Sequence, residues 1–80
     1  MMVKDAVVIR VQEICHDRNI KLNELANRSG ITPSTVYSMM EPNRREINIS
    51  TIKKLCDGLE MSLRDFFDAP VFDELEQEIR

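Results

Sequence analysis

The sequence predicts an all-α fold of five short helices followed by a short C-terminal helical extension. Three observations carry that expectation. Apolar residues recur at i, i+3/i+4 and i+7 along most of the chain, the period of a helix with one buried face. Residues that start and stop helices punctuate the pattern at short intervals. Two glycines and three prolines among 80 residues leave little room for long irregular loops.

Taken in order, Val7, Val8, Val11, Ile14 and Cys15 in DAVVIRVQEICHDRN form the apolar stripe of a first helix. Leu22, Leu25 and Ala26 begin a second, and Gly30 ends it, because the residue just past a helix commonly takes a positive φ. Thr32 is a good N-cap, and Pro33 suits the first helical position, where a missing N–H costs nothing. Val36, Met39 and Met40 supply the inward face of this third helix. Pro42 breaks the pattern within EPNRRE, and Asn48 or Ser50 caps a fourth helix whose Ile52, Leu55, Cys56 and Leu59 share one face. SLRDFF makes a fifth, with Ser62 and Asp65 spaced as a capping box. Beyond Pro70, Phe72, Leu75 and Ile79 lie on a further stripe, backed by Asp73, Glu74, Glu76 and Glu78. The expected organisation is a helical body over residues 1–69 and an acidic amphipathic extension over 70–80.

A chain of this length buries only about 60% of its unfolded surface, so it forms one small, closely patterned domain. No apolar run approaches the roughly 18 residues of a membrane span, and no secretory leader is visible, so a cytoplasmic protein is expected. Cys15 and Cys56 each fall in an apolar helical pattern and read as reduced core thiols. Cys15–His16 has no second ligand pair, and nothing else calls for a metal or cofactor. One His, no glycine-rich phosphate loop and no nucleophile elbow give no support to an enzyme. The net charge of −3 hides an asymmetry. Residues 1–56 carry nine Lys/Arg against six acids, whereas residues 57–80 carry Arg64 and Arg80 against eight. A basic front with an acidic tail favours a polyanionic partner for the front.

The stretch ELANRSGITPSTVYS sharpens this. Two short helices joined through SGIT have the plan of a helix-turn-helix, with Gly30 at the bend and Ile31 plugging the angle between them. The outward face of the second of these helices is Pro33, Ser34, Tyr37 and Ser38. A surface of hydroxyls instead of long charged chains suits close approach to another molecule. From about Ile9 to Phe67 the chain resembles the Cro/repressor-type (Xre-like) helix-turn-helix regulators of bacteria and phages. NELANRSGITPSTVYSM and ISTIKKLCDGLEMSLRDFF carry the likeness.

That resemblance implies a five-helix, lambda-repressor-like domain and a DNA-binding transcriptional regulator. Its third helix would lie in the major groove of double-stranded DNA, and the protein would act as a homodimer on a two-fold site. Carried over position by position, the base-edge residues are Pro33, Ser34 and Ser38, flanked by Thr35 and Tyr37. The phosphate contacts are Thr32, Asn43, Arg44, Arg45 and Asn48. The chain also departs from the family pattern. Leu22 stands where relatives often have a phosphate-binding Gln, and Pro42 replaces the usual Gly after the recognition helix. Ser34 and Ser38 replace long side chains that read bases bidentately, and hydroxyls discriminate less well. Cys15 and Met40 occupy the positions of a buried Arg–Glu pair in relatives, which implies that these two apolar residues meet. Phe66, Phe67, Phe72, Leu75 and Ile79 are the expected dimer contacts, with the tail acids held away from DNA. The alternative is a protein-interaction module of the same fold, such as an antitoxin-like partner. No small-molecule effector is legible.

Overall fold

A computed structural model describes residues 1–79; Arg80, the last residue of the expected extension, lies outside the described residues. Five α-helices, α1 (Val3–Arg18), α2 (Leu22–Ser29), α3 (Pro33–Met40), α4 (Ile49–Gly58) and α5 (Leu63–Phe67), precede a 3-10 helix at Pro70–Glu74. The helix ends follow local chemistry. Thr32 Oγ1 accepts the Thr35 N–H at 3.2 Å and Ser62 Oγ accepts the Asp65 N–H at 3.0 Å, so α3 and α5 are side-chain capped. At the other ends, Asn19, Gly30 and Glu60 take left-handed φ values of 55°, 70° and 55°. Each is followed by an N–H that reaches back five residues: Ile20 to Cys15 O, Ile31 to Ala26 O and Met61 to Cys56 O. These are Schellman closures. Asn and Gly suit them, whereas Glu60 bears the steric cost of a Cβ in that region.

The apolar stripes converge on one core. Leu25 and Ala26 of α2, Val36 and Met39 of α3, Leu55 and Cys56 of α4, and Phe66 of α5 are fully or nearly fully enclosed, with Val7, Val11, Ile14 and Cys15 of α1 covering them. Val8, expected among them, is only half-buried, and Ala6 takes that place. The α2–α4 and α2–α3 contacts are the most extensive. Both cysteines are free and buried, and burial pushes their thiol pKa values up.

Three cations of α1 tie the bundle together. Lys4 is 3% exposed and its ammonium donates to Glu41 O, just past α3, at 2.6 Å. Arg10 donates from Nε to Phe66 O at 2.6 Å and from Nη2 to Asp65 O at 2.8 Å, at the end of α5. Arg18 Nη1 donates to Leu59 O, at the end of α4. Carbonyls at a helix C-terminus lack intrahelical donors and carry the negative end of the helix dipole, so a cation there serves both needs.

The C-terminal segment corrects the sequence expectation. Instead of a helix running to Ile79, five residues of 3-10 helix are followed by irregular chain from Leu75. The intended stripe is thereby split. Val71 is buried, Phe72 and Leu75 are half-buried, and Ile79 is 79% exposed. A regular helix would stack Glu74 over Glu78 and Asp73 over Glu76, which repel. The more extended path also reaches farther, and brings Glu76 N–H to Met1 O and Glu78 Oε2 to the Val3 N–H, both at 2.9 Å.

Candidate nucleic-acid interface

The turn between α2 and α3 fixes the pose of α3. Gly30 supplies the positive φ, and its N–H and that of Ile31 close onto Asn27 O and Ala26 O, so the chain reverses within three residues. Val36 and Met39 then anchor α3 inward. That anchoring leaves Thr32, Pro33, Ser34, Tyr37 and Ser38 exposed, with Thr35 half-buried. Thr32 Oγ1 lies 3.1 Å from Ser34 Oγ and 2.8 Å from Thr35 Oγ1, so the helix start is a small hydroxyl cluster. No acid lies in the first turn of α3. The positive end of its dipole is therefore open to an anion.

The loop after α3 turns sharply. Pro42 follows Glu41, whose carbonyl accepts the Arg44 N–H at 3.1 Å. This is the β-turn position Pro favours, because its fixed φ matches the second residue of the turn. The reversal brings Arg44 back beside α3. Its Nη1 donates to Ser38 Oγ and its Nε to Glu46 O, both at 3.2 Å. Arg45 points elsewhere: its Nη2 bridges both carboxylate oxygens of Asp5 at 3.2 Å, and Nη1 donates to Pro42 O. Asn43 and Asn48 are exposed, Asn48 preceding α4 without a side-chain cap bond.

The structure therefore gathers the α3 face and Arg44 into one surface, whereas Arg45 leans toward α1. Of the other basic residues, Arg28 pairs with Glu24 and Lys53 with Asp57, each one helical turn apart. Lys4, Arg10 and Arg18, counted in the basic front, are committed to helix ends. The sequence carried no short-range signal for those roles or for Asp5 as the partner of Arg45.

Met40 is half-buried, packs against the core cluster that includes Cys15, and lines a surface hollow with Val8, Ile9 and Pro42. The tether from α1 to the end of α3 is Lys4 on Glu41 O. Two expectations need correction. Phe66 is fully enclosed within the subunit and offers no side chain to a second copy, because α5 turns it inward beneath Arg10. Phe67 and Phe72 are half-buried with ring centroids 4.9 Å apart, Leu75 is half-buried, and Ile79 is exposed. Nor are the tail acids all remote from the loop. Glu78 lines the same hollow as Arg45, Asn48, Ile49 and Phe67, because its carboxylate caps the start of α1.

Comparison with known proteins places this geometry in context. The family model of the Cro/C1-type helix-turn-helix DNA-binding domain matches residues 10–71. No curated protein sequence matches significantly. Among solved structures, prophage Lp1 protein 11 is similar with a TM-score of 0.81 at 33% identity, over 94% of this chain and all of that one. The restriction-modification controller protein C.Esp1396I gives a TM-score of 0.79 at 18% identity, covering 98% of this chain and 99% of its own. The clp gene regulator ClgR from C. glutamicum gives 0.77 at 18%, covering 96% and 99%. At that identity the last two share the fold. Among the described residues no helix is long and apolar enough to cross a membrane.

Proposed function

The chain belongs to the Cro/C1-type helix-turn-helix DNA-binding family, and from that premise we propose that it is a transcriptional regulator that lays α3 in the major groove and binds as a homodimer. The observation that carries this reading is the outward face of α3. Thr32, Pro33, Ser34, Tyr37 and Ser38 are exposed and free of acids, and a guanidinium stands at their edge. Burial of Val36 and Met39 explains the inward face but places no demand on the outer one, so small polar residues there fit a surface that meets a duplex closely.

In this reading Pro33, Ser34, Thr35, Tyr37 and Ser38 face base edges. Thr32, Asn43, Arg45 and Asn48 lie along the backbone and Arg44 stands at the edge of the α3 face beside Ser38, with Thr32 offering a phosphate its hydroxyl at the N-terminus of α3. Residues 1–69 hold the DNA surface and residues 70–80 take part in dimerisation. A second copy covers the edge formed by Phe67, Phe72, Leu75 and Ile79. Support comes from the apolar side chains that remain open nearby: Ile49 is 62% exposed and Val3 42%, and both line a hollow of about 430 Å³ with Phe67. Two-fold pairing sets two recognition helices one helical turn of DNA apart, about 34 Å.

Titration with mixed-sequence duplex across a salt series tests the reading. Affinity is expected to fall as a power of salt concentration, with a slope near −0.9 per neutralised phosphate. Absence of binding even at low salt would refute it. Sedimentation with and without DNA tests the dimer separately.

A further inference from the structure

We propose that Arg44, from the loop beyond α3, reads a guanine edge in the major groove beside Ser38; the proposal rests on the placement of α3 given above. The groove face of α3 carries no long amide or guanidinium side chain. Ser34 and Ser38 end at hydroxyls, and a hydroxyl meets any base edge without strong preference. A bidentate donor therefore has to come from outside the helix. Arg44 is built for that role by its backbone and by its contacts. The turn Glu41–Pro42–Asn43–Arg44 closes on a 3.1 Å hydrogen bond and swings residue 44 back along the helix it has just left. Its guanidinium is then held at two points, Nη1 on Ser38 Oγ and Nε on Glu46 O.

Five N–H bonds radiate from a guanidinium. Among the described residues the two holding bonds leave the second Nη1 hydrogen and both Nη2 hydrogens without a partner, and Nη1 and Nη2 form the end-on fork that matches guanine O6 and N7. The neighbouring cations are occupied differently. Arg45 is drawn to Asp5, and Lys4 is buried against Glu41 O. Arg44 is thus the guanidinium that reaches the α3 face with its fork open. Ser38 acts as a positioning residue, orienting the fork through its hydroxyl.

The test is selection of preferred duplexes from random DNA by the full chain and by Arg44→Ala, Arg44→Lys and Ser38→Ala, each followed by titration on the wild-type site and on unrelated DNA. The expected result is a guanine at one fixed position of each half-site for the wild type, and no base preference there for Arg44→Ala. That variant should lose about 5- to 150-fold on the preferred site and much less on unrelated DNA. Arg44→Lys should keep the wild-type salt slope yet fail to restore the guanine, because an ammonium is a point charge without the fork. Ser38→Ala should weaken the same guanine preference by a larger factor than it weakens binding to unrelated DNA. The proposal is overturned if Arg44→Ala lowers affinity for both DNAs by the same factor and Arg44→Lys restores both, since Arg44 would then serve as a phosphate contact. A wild type that binds no DNA at low salt overturns the functional reading, and this proposal with it. Unchanged circular dichroism of each variant excludes misfolding as the cause.

Discussion

Gly58, the last residue of α4, controls how closely α4 approaches the end of α2, and Gly58→Ala tests that closeness. A Cβ at this position would stand 2.3 Å from Ser29 Oγ and 3.0 Å from both Arg28 C and Ser29 N, where ordinary contact begins at 3.4 Å. The hydroxyl is the tip of a short side chain and can rotate away. The α2 backbone cannot, so the two helices must separate by some tenths of an ångström. Forcing an extra methyl into a close-packed contact costs about 1–3 kcal/mol, and the gain in helix propensity returns up to about 1 kcal/mol. The net expectation is a loss of about 1–2 kcal/mol, or a fall in Tm of roughly 5–15 °C for a domain of this size. Ser29 sharpens the test because its hydroxyl is buried and has no hydrogen-bond partner among the described residues. Ser29→Ala alone is therefore expected to be neutral or stabilising. In the double variant it should recover part of the Gly58→Ala loss, leaving the share due to the backbone contacts. Thermal melts and urea titrations of the four proteins measure the cycle. A Gly58→Ala protein as stable as wild type would refute the close approach, and strict additivity would show that Ser29 Oγ is not what the new methyl meets. Because α2 leads through Gly30 into α3, the same variant should also weaken DNA binding.

Other perturbations probe the α1 cations, the loop and the thiols. Arg10→Ala removes two donors from the end of α5 and a guanidinium 6.0 Å above the Phe66 ring; it should cost about 1.5–3 kcal/mol in urea denaturation, with Arg10→Lys recovering only part. An unchanged midpoint would show that water replaces those bonds at no cost. Asp5→Asn releases Arg45 from an exposed pair worth at most about 1 kcal/mol. It should raise affinity for any duplex by about 2- to 5-fold at low salt and steepen the salt slope by up to about 0.9; no change in slope would place Arg45 off the phosphate backbone. Burial raises the thiol pKa of Cys15 and Cys56 in the folded state. The unfolded chain consequently loses those protons first, and stability should decline as pH rises above about 8.5, the ordinary thiol value. Cys15→Ala combined with Cys56→Ala should flatten that alkaline decline, and a profile unaltered by the pair of changes would assign it to other groups.

The features legible in the sequence are those whose partners lie within one helical turn. Thr32 and Pro33 announce the start of α3, Ser62 the start of α5, and Gly30 the end of α2, because a cap bond joins residues three to five apart and the residue types able to make it are few. The apolar stripes were readable in outline from helical period, with Ala6 buried on α1 in place of Val8. Together these gave the five helices, the helix-turn-helix and the exposed hydroxyl face of α3. Charge was legible only as a total. Whether a given Lys or Arg faces a ligand or holds the fold depends on what stands opposite it, and here the partners are remote in sequence. Lys4 meets Glu41, Arg10 meets Phe66, Arg18 meets Leu59, Asp5 meets Arg45 and Val3 meets Glu78, at separations of 37 to 75 residues. The same holds for the tail, whose stripe suited a helix until the start of α1 offered its acids unpaired N–H groups. Local chemistry sets which segments are helical and which face each buries; the assembled bundle sets which charges remain free, because a helix end acquires its counter-charge only once another helix has docked across it.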